Sequence, residues 1–353
     1  MLKSPHLAAK AETMKIGIMT GGGDAPGLNG IIEAVGRTLL GRGHEVIGIQ
    51  NGFEGIFKRD VRVICEKTLQ GLHAQAGTLL GASNRSKIEG REAEFVAAYR
   101  SLALDGLIVA GGDGTFRGIS RVGNEVQVVG VPKTIDNDLP GTDSTFGFDT
   151  ACTVVADALD ALWHTAEAHE RIFFVEAMGR TAGWIALGGG LASYADAILI
   201  PERPFSHEAL LTFLCEKHKR QKAMLVVVAE GAKPQGGESV TLTQAKQGRD
   251  IRFGGMAAQL AHWMESETNF EARHVVLGHL QRSHTPTTAD RLMTLEMGVV
   301  AARLAMAEQW RRAVVYREGQ VTDTRLEDIM GEPRVIPADH AWIQQAQSLN
   351  IFI

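Results

Sequence analysis

Cysteine is scarce in this chain. Cys65, Cys152 and Cys215 stand far apart with no Cys-x-x-Cys pair, which excludes a disulfide framework and a thiolate zinc site and suits a protein of the reducing cytoplasm. Long apolar runs are missing as well. Nothing approaches the ~20 residues of a membrane span, and residues 1–13 hold scattered charges without a signal-peptide core, so they read as an exposed N-terminal extension. Nor is there an excess of basic residues: 36 Lys+Arg face 41 Asp+Glu, a balance that argues against nucleic acid as a partner. The Walker loop and the Gly-x-Gly-x-x-Gly turn are both absent, as are internal repeats and low-complexity tracts.

Glycine, by contrast, is plentiful, with 40 in 353 residues, roughly half again the ordinary ~7%. The glycines cluster just after apolar runs. Residues 15–19 lead into Thr20-Gly21-Gly22-Gly23-Asp24-Ala25-Pro26-Gly27, after which Ile31, Ile32, Val35, Leu39 and Leu40 recur at helical spacing. The same grammar returns at 106–110 before Gly111-Gly112-Asp113-Gly114-Thr115, and at 127–131 before Pro132-Lys133-Thr134-Ile135-Asp136-Asn137-Asp138. Further apolar runs at 171–175, 197–200, 224–229 and 274–277 alternate with amphipathic stretches such as 150–167, while 231–249 reads as an exposed loop. Strands alternating with helices predict parallel sheets covered on both faces. A chain of this length and apolar content (44%) is expected to fold as two α/β domains. In such sheets ligands bind beyond the carboxyl ends of the strands, where all three loops fall.

Each loop suggests chemistry. A glycine turn between strand and helix brings backbone N–H groups to an anion and adds the helix dipole, although glycines there also serve tight turns alone. Asp113 between glycines suits a carboxylate holding Mg²⁺ beside a polyphosphate; a structural helix cap is its ordinary role. Asp136 and Asp138, two residues apart after an apolar strand, offer a general base for an alcohol nucleophile, against the plainer reading of an Asx turn. Arg171, Arg180, Arg273 and Arg282 lie at strand ends, and guanidinium is suited to bidentate phosphate recognition. Glu230 closes a buried run. Met178 and His279 read by default as packing residues.

Taken in order, the glycine strings above, the Thr134-to-Asp138 string, Met178-Gly179-Arg180 and Leu277-Gly278-His279-Leu280-Gln281-Arg282 are similar to the signatures of 6-phosphofructokinases. The resemblance runs from about residue 15 to 307 and is faint in the last forty. It implies two doubly wound, mainly parallel domains, 14–147 with 282–330 for the donor phosphates and 148–281 with 331–353 for the sugar phosphate, with the site in the cleft between them. It implies Mg²⁺-dependent transfer from ATP to the 1-hydroxyl of fructose 6-phosphate. Asp136 is then the base, supported by Thr134 and Asp138, and Arg180 stabilises the charge on the transferring group. Gly22, Arg85, Gly112, Asp113, Gly114 and Thr115 hold the donor, with Asp113 serving the metal. Met178, Gly179, Glu230, His279 and Arg282 hold the sugar phosphate, and Arg171 and Arg273 reach it from a neighbouring subunit, which implies a homo-oligomer, expected to be a tetramer.

Two positions bear on the donor. Gly114 looks like the ATP form, since pyrophosphate users of the family place an aspartate there. Lys133 is typical of pyrophosphate users. The bulk and charge of an aspartate would exclude a nucleotide outright, so Gly114 weighs more and ATP is expected, with pyrophosphate the alternative. Glu33 and Trp163 fall where allosteric relatives carry effector-site arginines, while Arg37 and Lys219 keep two cations, so control by ADP and phosphoenolpyruvate should be weak or altered. Lipid and NAD kinases share the Gly-Gly-Asp-Gly-Thr loop but lack the remaining strings, and a non-catalytic nucleotide sensor would have no need of Asp113, Asp136 and Arg180 together.

Overall fold

The computed structural model describes residues 13–83, 86–243 and 252–353. Its strands are β1 (Lys15–Thr20), β2 (Glu45–Ile49), β3 (Val61–Val63), β4 (Gly106–Gly111), β5 (Val128–Pro132), β6 (Ile172–Ala177) and β7 (Ala197–Leu199). They continue with β8 (Met224–Ala229), β9 (Thr241–Thr243), β10 (Arg252–Phe253), β11 (Ala272–Val276), β12 (Arg312–Arg317) and β13 (Gln320–Arg325). Seven form one sheet in the order β13-β12-β5-β4-β1-β2-β3, parallel inside with an antiparallel strand at each edge. Four form a second, wholly parallel sheet, β11-β6-β8-β7. The molecule is therefore α/β with two mainly parallel sheets.

The apolar runs have a simple cause. In β4, Ile108 and Ala110 enter a core with Leu28, Ile32 and Met297, whereas Leu107 and Val109 enter another with Phe95 and Phe116. Side chains alternate across the pleat, and helices cover both faces, so every position is apolar. In the second sheet Phe173 and Val175 face one core and Ile172 and Phe174 the other.

The chain crosses between the sheets more than once. The helix Phe148–His169 follows the loop after β5 yet packs on the second sheet, and the helix Thr288–Met306 returns to the first. Ile343, Ala346 and Ile351 then join the second core, and Phe352 bridges to Ala197 at the β7 edge. One buried carboxylate ties these crossings. Asp290, 1% exposed, accepts hydrogen bonds from Gly147 N (2.8 Å), Thr150 N (2.9 Å) and Thr150 Oγ1 (2.5 Å), so it caps the start of Phe148–His169 from the other helix.

Two expectations are corrected. The stretch 231–249 is not all loop, because β9 pairs antiparallel with β10; a two- or three-residue strand is too short to show a period. The third strand of the first sheet is displaced by one residue, Val128–Pro132 instead of 127–131. Of the extension 1–13, only Thr13 lies among the described residues, and it is exposed.

Candidate active site

The loops after β1, β4 and β5 meet because their strands are neighbours or next neighbours in the sheet. Gly21 N donates to Ala110 O at 2.8 Å, and Lys133 N to Gly111 O at 2.8 Å. At Gly21 a side chain has no room, since a Cβ would come within 2.7 Å of Thr115 Oγ1. Gly114 is different. Among the described residues a Cβ there would meet nothing within 4 Å, and the backbone is not left-handed, so neither their packing nor conformation asks for glycine. Asp113 opens the helix Asp113–Ser120, and its carboxylate accepts from Arg117 Nε at 2.8 Å while staying 42% exposed. Beside the first loop lies a cavity of about 380 Å³ lined by Gly22, Gly23, Asp24, Gly77, Thr78 and Ala82. A larger hollow, about 540 Å³ between the helices Trp184–Ala192 and Ala341–Ser348, has no carboxylate, imidazole, amine or guanidinium in its lining, so its size does not mark chemistry.

After β5 the side chains alternate. Lys133, Ile135 and Asn137 are buried, and Thr134, Asp136 and Asp138 are half-buried. Thr134 Oγ1 donates to Asp138 Oδ1 (3.1 Å) and accepts from Asp136 N (3.1 Å). Asn137 is left-handed, φ 54, a conformation that asparagine tolerates better than most residues. Its Oδ1 accepts from Thr145 N at 3.0 Å, and Thr145 Oγ1 donates to Thr134 O at 2.7 Å, which fixes the turn from beneath.

Asp136 is the exception in this well-bonded loop, because its Oδ1 is buried with no hydrogen-bond partner among the described residues. Burial, and then the Asp138 carboxylate, push its pKa up to about 6, against the pull of Arg282, Arg180 and Lys133. Glu230, at the end of β8, is pushed up to about 7 by burial and by Asp136, with Arg180 opposing. Burial and the Arg282 guanidinium bring Lys133 down to about 8, while Asp136, Asp24 and Asp138 hold its proton. Groups from both sheets thus share one field. An unpaired buried carboxylate costs stability wherever it sits, and such costs concentrate at functional sites.

The loop after β6 brings Met178, Gly179 and Arg180 to the same place. Met178 N donates to Gln281 Oε1 (3.2 Å), and Gly231 N to Gly179 O (3.0 Å), so this loop, the end of β8 and the helix Leu280–Ser283 are joined. Arg180 and His279 are exposed. Arg282 lies against the first glycine loop, where a Cβ on Gly23 would stand 2.7 Å from its Nη1, and its Nε is buried without a partner among the described residues.

Arg171 and Arg273 are not brought into this cluster. Arg171 just precedes β6 and Arg273 lies near the start of β11; both pair with Glu271, Arg171 at 2.7 Å. They are thus at the amino ends of strands whose carboxyl ends carry the loops, and six residues of strand span roughly 20 Å. Arg85 lies outside the described residues. Glu33, expected to stand in an anion pocket, is 6% exposed and already engaged: Arg37 Nε donates at 2.7 Å, His73 N donates at 2.7 Å and His73 Nδ1 lies 2.8 Å away. Burial raises its pKa, but these hydrogen bonds outweigh it and hold the carboxyl below the ordinary value. Trp163 packs against the second core, and Lys219 pairs with Glu216.

Residues 15–305 match the family model for phosphofructokinase. The chain belongs to the phosphofructokinase family. It is 43% identical over 334 residues to an ATP-dependent 6-phosphofructokinase of Mycobacterium tuberculosis, covering 92% of this chain and 96% of that protein. It is 39% identical over 331 residues to a pyrophosphate–fructose 6-phosphate 1-phosphotransferase of Amycolatopsis methanolica, covering 92% and 97%. The phosphofructokinase structure from Saccharomyces cerevisiae superposes with a TM-score of 0.78 at 28% identity over 90% of this chain, which spans 45% of that longer one. Phosphofructokinase relatives with either donor in their names match to similar extents, so overall likeness does not separate the donors. Sequence reasoning passed over Thr145, Trp184 and Arg334. Arg334 touches the loop 134–138 from 197 residues away, in the stretch where the family signatures fade, and no local pattern announces it.

Proposed function

We propose that the protein is an ATP-dependent 6-phosphofructokinase, transferring the γ-phosphoryl group of ATP to the 1-hydroxyl of fructose 6-phosphate. The observation that carries this reading is the Oδ1 of Asp136, buried and without a partner among the described residues, set among cationic groups from both sheets. Such an oxygen has an open valence for an incoming hydroxyl. With a pKa of about 6 it is mostly ionised at neutral pH yet basic enough to take a proton.

The sugar's 1-hydroxyl gives its proton to Asp136 as its oxygen bonds to the γ-phosphorus, and ADP leaves with the electrons of the broken bond. Thr134 and Asp138 hold the base in register. Arg180 offsets the negative charge spread over the transferring group. Gly22 and the segment 112–115 cradle the donor phosphates, with Gly22 and residues 112–114 offering backbone N–H groups while Thr115 N donates to Gly112 O at 2.9 Å. Met178, Gly179, Glu230, His279 and Arg282 hold the sugar phosphate, with Arg282 also close enough to the glycine loop to answer charge there. Asp113, a hard carboxylate at a helix start beside this cleft, suits Mg²⁺, which when bound neutralises donor-phosphate charge. No cluster of three or more His, Cys, Asp or Glu suited to a metal is present among the described residues, as is usual where phosphates and water supply most of the ligands.

Gly114 favours ATP. Nothing among the described residues requires glycine, so the open space beside the donor loop is what it preserves, and an aspartate there would project charge into it. Lys133 is 5% exposed, and burial with Arg282 brings it down to about 8 against the pull of Asp136, Asp24 and Asp138, so its side chain is poorly placed to hold full charge for a second phosphate. Arg171 and Arg273, at the outer end of the second sheet beside the exposed β11 edge, reach a neighbouring protomer's sugar phosphate, so the working form is an oligomer, a tetramer by family resemblance. Among the described residues no helix is long and apolar enough to cross a membrane, in keeping with a cytoplasmic enzyme.

Initial rates with Mg²⁺ and fructose 6-phosphate, using ATP, ADP or pyrophosphate at matched concentrations, test the reading. Turnover with ATP alone is expected. Faster turnover with pyrophosphate would overturn the donor assignment, and none with any donor would overturn the activity.

A further inference from the structure

Between the catalytic loop and the loop bearing Arg180 lies a contact that the proposed reaction does not use. Arg334 Nη2 donates to Asn137 O at 2.9 Å, and Arg334 N donates to Asp138 O at 2.7 Å. The two bonds grip consecutive carbonyls, one of them belonging to the left-handed Asn137. On its other side the guanidinium lies 4.4 Å from the centre of the Trp184 ring, and Trp184 Nε1 donates back to Arg334 O at 2.9 Å.

Trp184 is fixed. It is 3% exposed, opens the helix Trp184–Ala192, and meets His340 and Trp342 edge-on at 5.0 and 6.3 Å. The same helix start is riveted by Glu202, which accepts from Gly183 N (3.1 Å) and Ile336 N (3.0 Å). Residues 334–336 therefore clamp two elements together. One carries Asp136, two residues before the gripped Asp138 carbonyl; the other carries Arg180, four residues before Trp184.

We propose that Arg334 is a positioning residue, which sets the separation and register of Asp136 and Arg180 without touching substrate. The proposal rests on Asp136 as proton acceptor and Arg180 as the charge-stabilising group. The chemistry of arginine is needed for it. A planar cation can stack on an indole and donate in its own plane at once, whereas a lysine ammonium holds charge without the stacked fork. Misplacing a reacting group by about 1 Å costs on the order of 100-fold in rate.

The test compares Arg334→Gln and Arg334→Lys with the wild-type enzyme and with Asp136→Asn, measuring kcat, both KM values and the thermal midpoint. Both Arg334 variants are expected to fold, to lose kcat by roughly 10- to 100-fold, and to keep KM for each substrate within about threefold. A role in stability alone would lower the midpoint and leave kcat of folded enzyme near wild type, and that result overturns the proposal. So does full recovery by lysine, which would mean that charge alone suffices, or a rise in KM at unchanged kcat. Should the glutamine variant not fold, the lysine variant decides by the same criteria. A near-wild-type rate in Asp136→Asn would instead sink the assignment of the base, so the two failures are distinguishable.

Discussion

If Asp136 is held ready as a base, its readiness must cost the folded state something, and Asp136→Asn should reveal both sides. The rise from the ordinary 3.8 to about 6, at roughly 1.4 kcal/mol per pH unit, corresponds to about 3 kcal/mol against keeping the charge in the fold. The sign follows from proton binding. Between about pH 4 and 6 the folded chain holds a proton that the unfolded chain has released, so stability falls as pH rises through that window and the full cost applies above it. Asparagine removes the charge at every pH but leaves a buried amide short of partners, which takes back roughly 1–2 kcal/mol. The variant should therefore be more stable than wild type by about 1–2 kcal/mol at pH 7.5 and show no gain at pH 4.5, while its kcat falls by roughly 10²- to 10⁴-fold. Thermal midpoints at the two pH values, with single-turnover rates at pH 7.5, measure this directly. A variant less stable than wild type at pH 7.5, or a gain equal at both pH values, would refute the reasoning. For the wild-type enzyme the rate should climb with pH through about 6 and then level.

Three other outcomes are expected. Gly114→Asp should fold with an unchanged thermal midpoint, because the added atoms enter open space, yet raise KM for ATP at least tenfold through charge repulsion (about 1.4 kcal/mol per decade); unchanged ATP kinetics would show that position 114 does not face the nucleotide. Asp290→Ala should destabilise the protein by about 3 kcal/mol in urea near pH 4.5, since three buried donors lose their acceptor, and by less at pH 7.5, where burial of a carboxylate raised to about 6 already costs the wild type; a loss under 1 kcal/mol at pH 4.5 would mean that the helix start finds another partner. Arg273→Ser and Asp136→Asn should each be inactive alone but regain activity when co-refolded, because a mixed oligomer contains sites with both native residues; no recovery would place Arg273 outside a shared site.

Much of the site was legible because it is local. The glycine turns follow apolar strands directly, and Thr134, Asp136 and Asp138 fall within one five-residue stretch after β5, so their nearness follows from the sequence, although the left-handed Asn137 and the hydrogen bonds of Thr134 set their orientation. The α/β class was likewise carried by alternating strand and helix patterns. The brief β9–β10 pairing was not, for it is too short to have a period.

What the sequence determined by itself is therefore the set of chemical groups and the strand ends that present them. What the tertiary structure decided is which groups act on one another. Asp136 becomes a raised-pKa carboxylate because burial and Asp138 act on it together, Glu33 is engaged because His73 comes to it from forty residues away, and Arg171 and Arg273 stand apart from the cluster because strand direction puts them at the other end of the sheet. Arg334 meets Asn137 only once the chain has crossed both sheets. Fields and hydrogen bonds of this kind act over a few ångströms in space, and separation along the chain carries no record of such a distance.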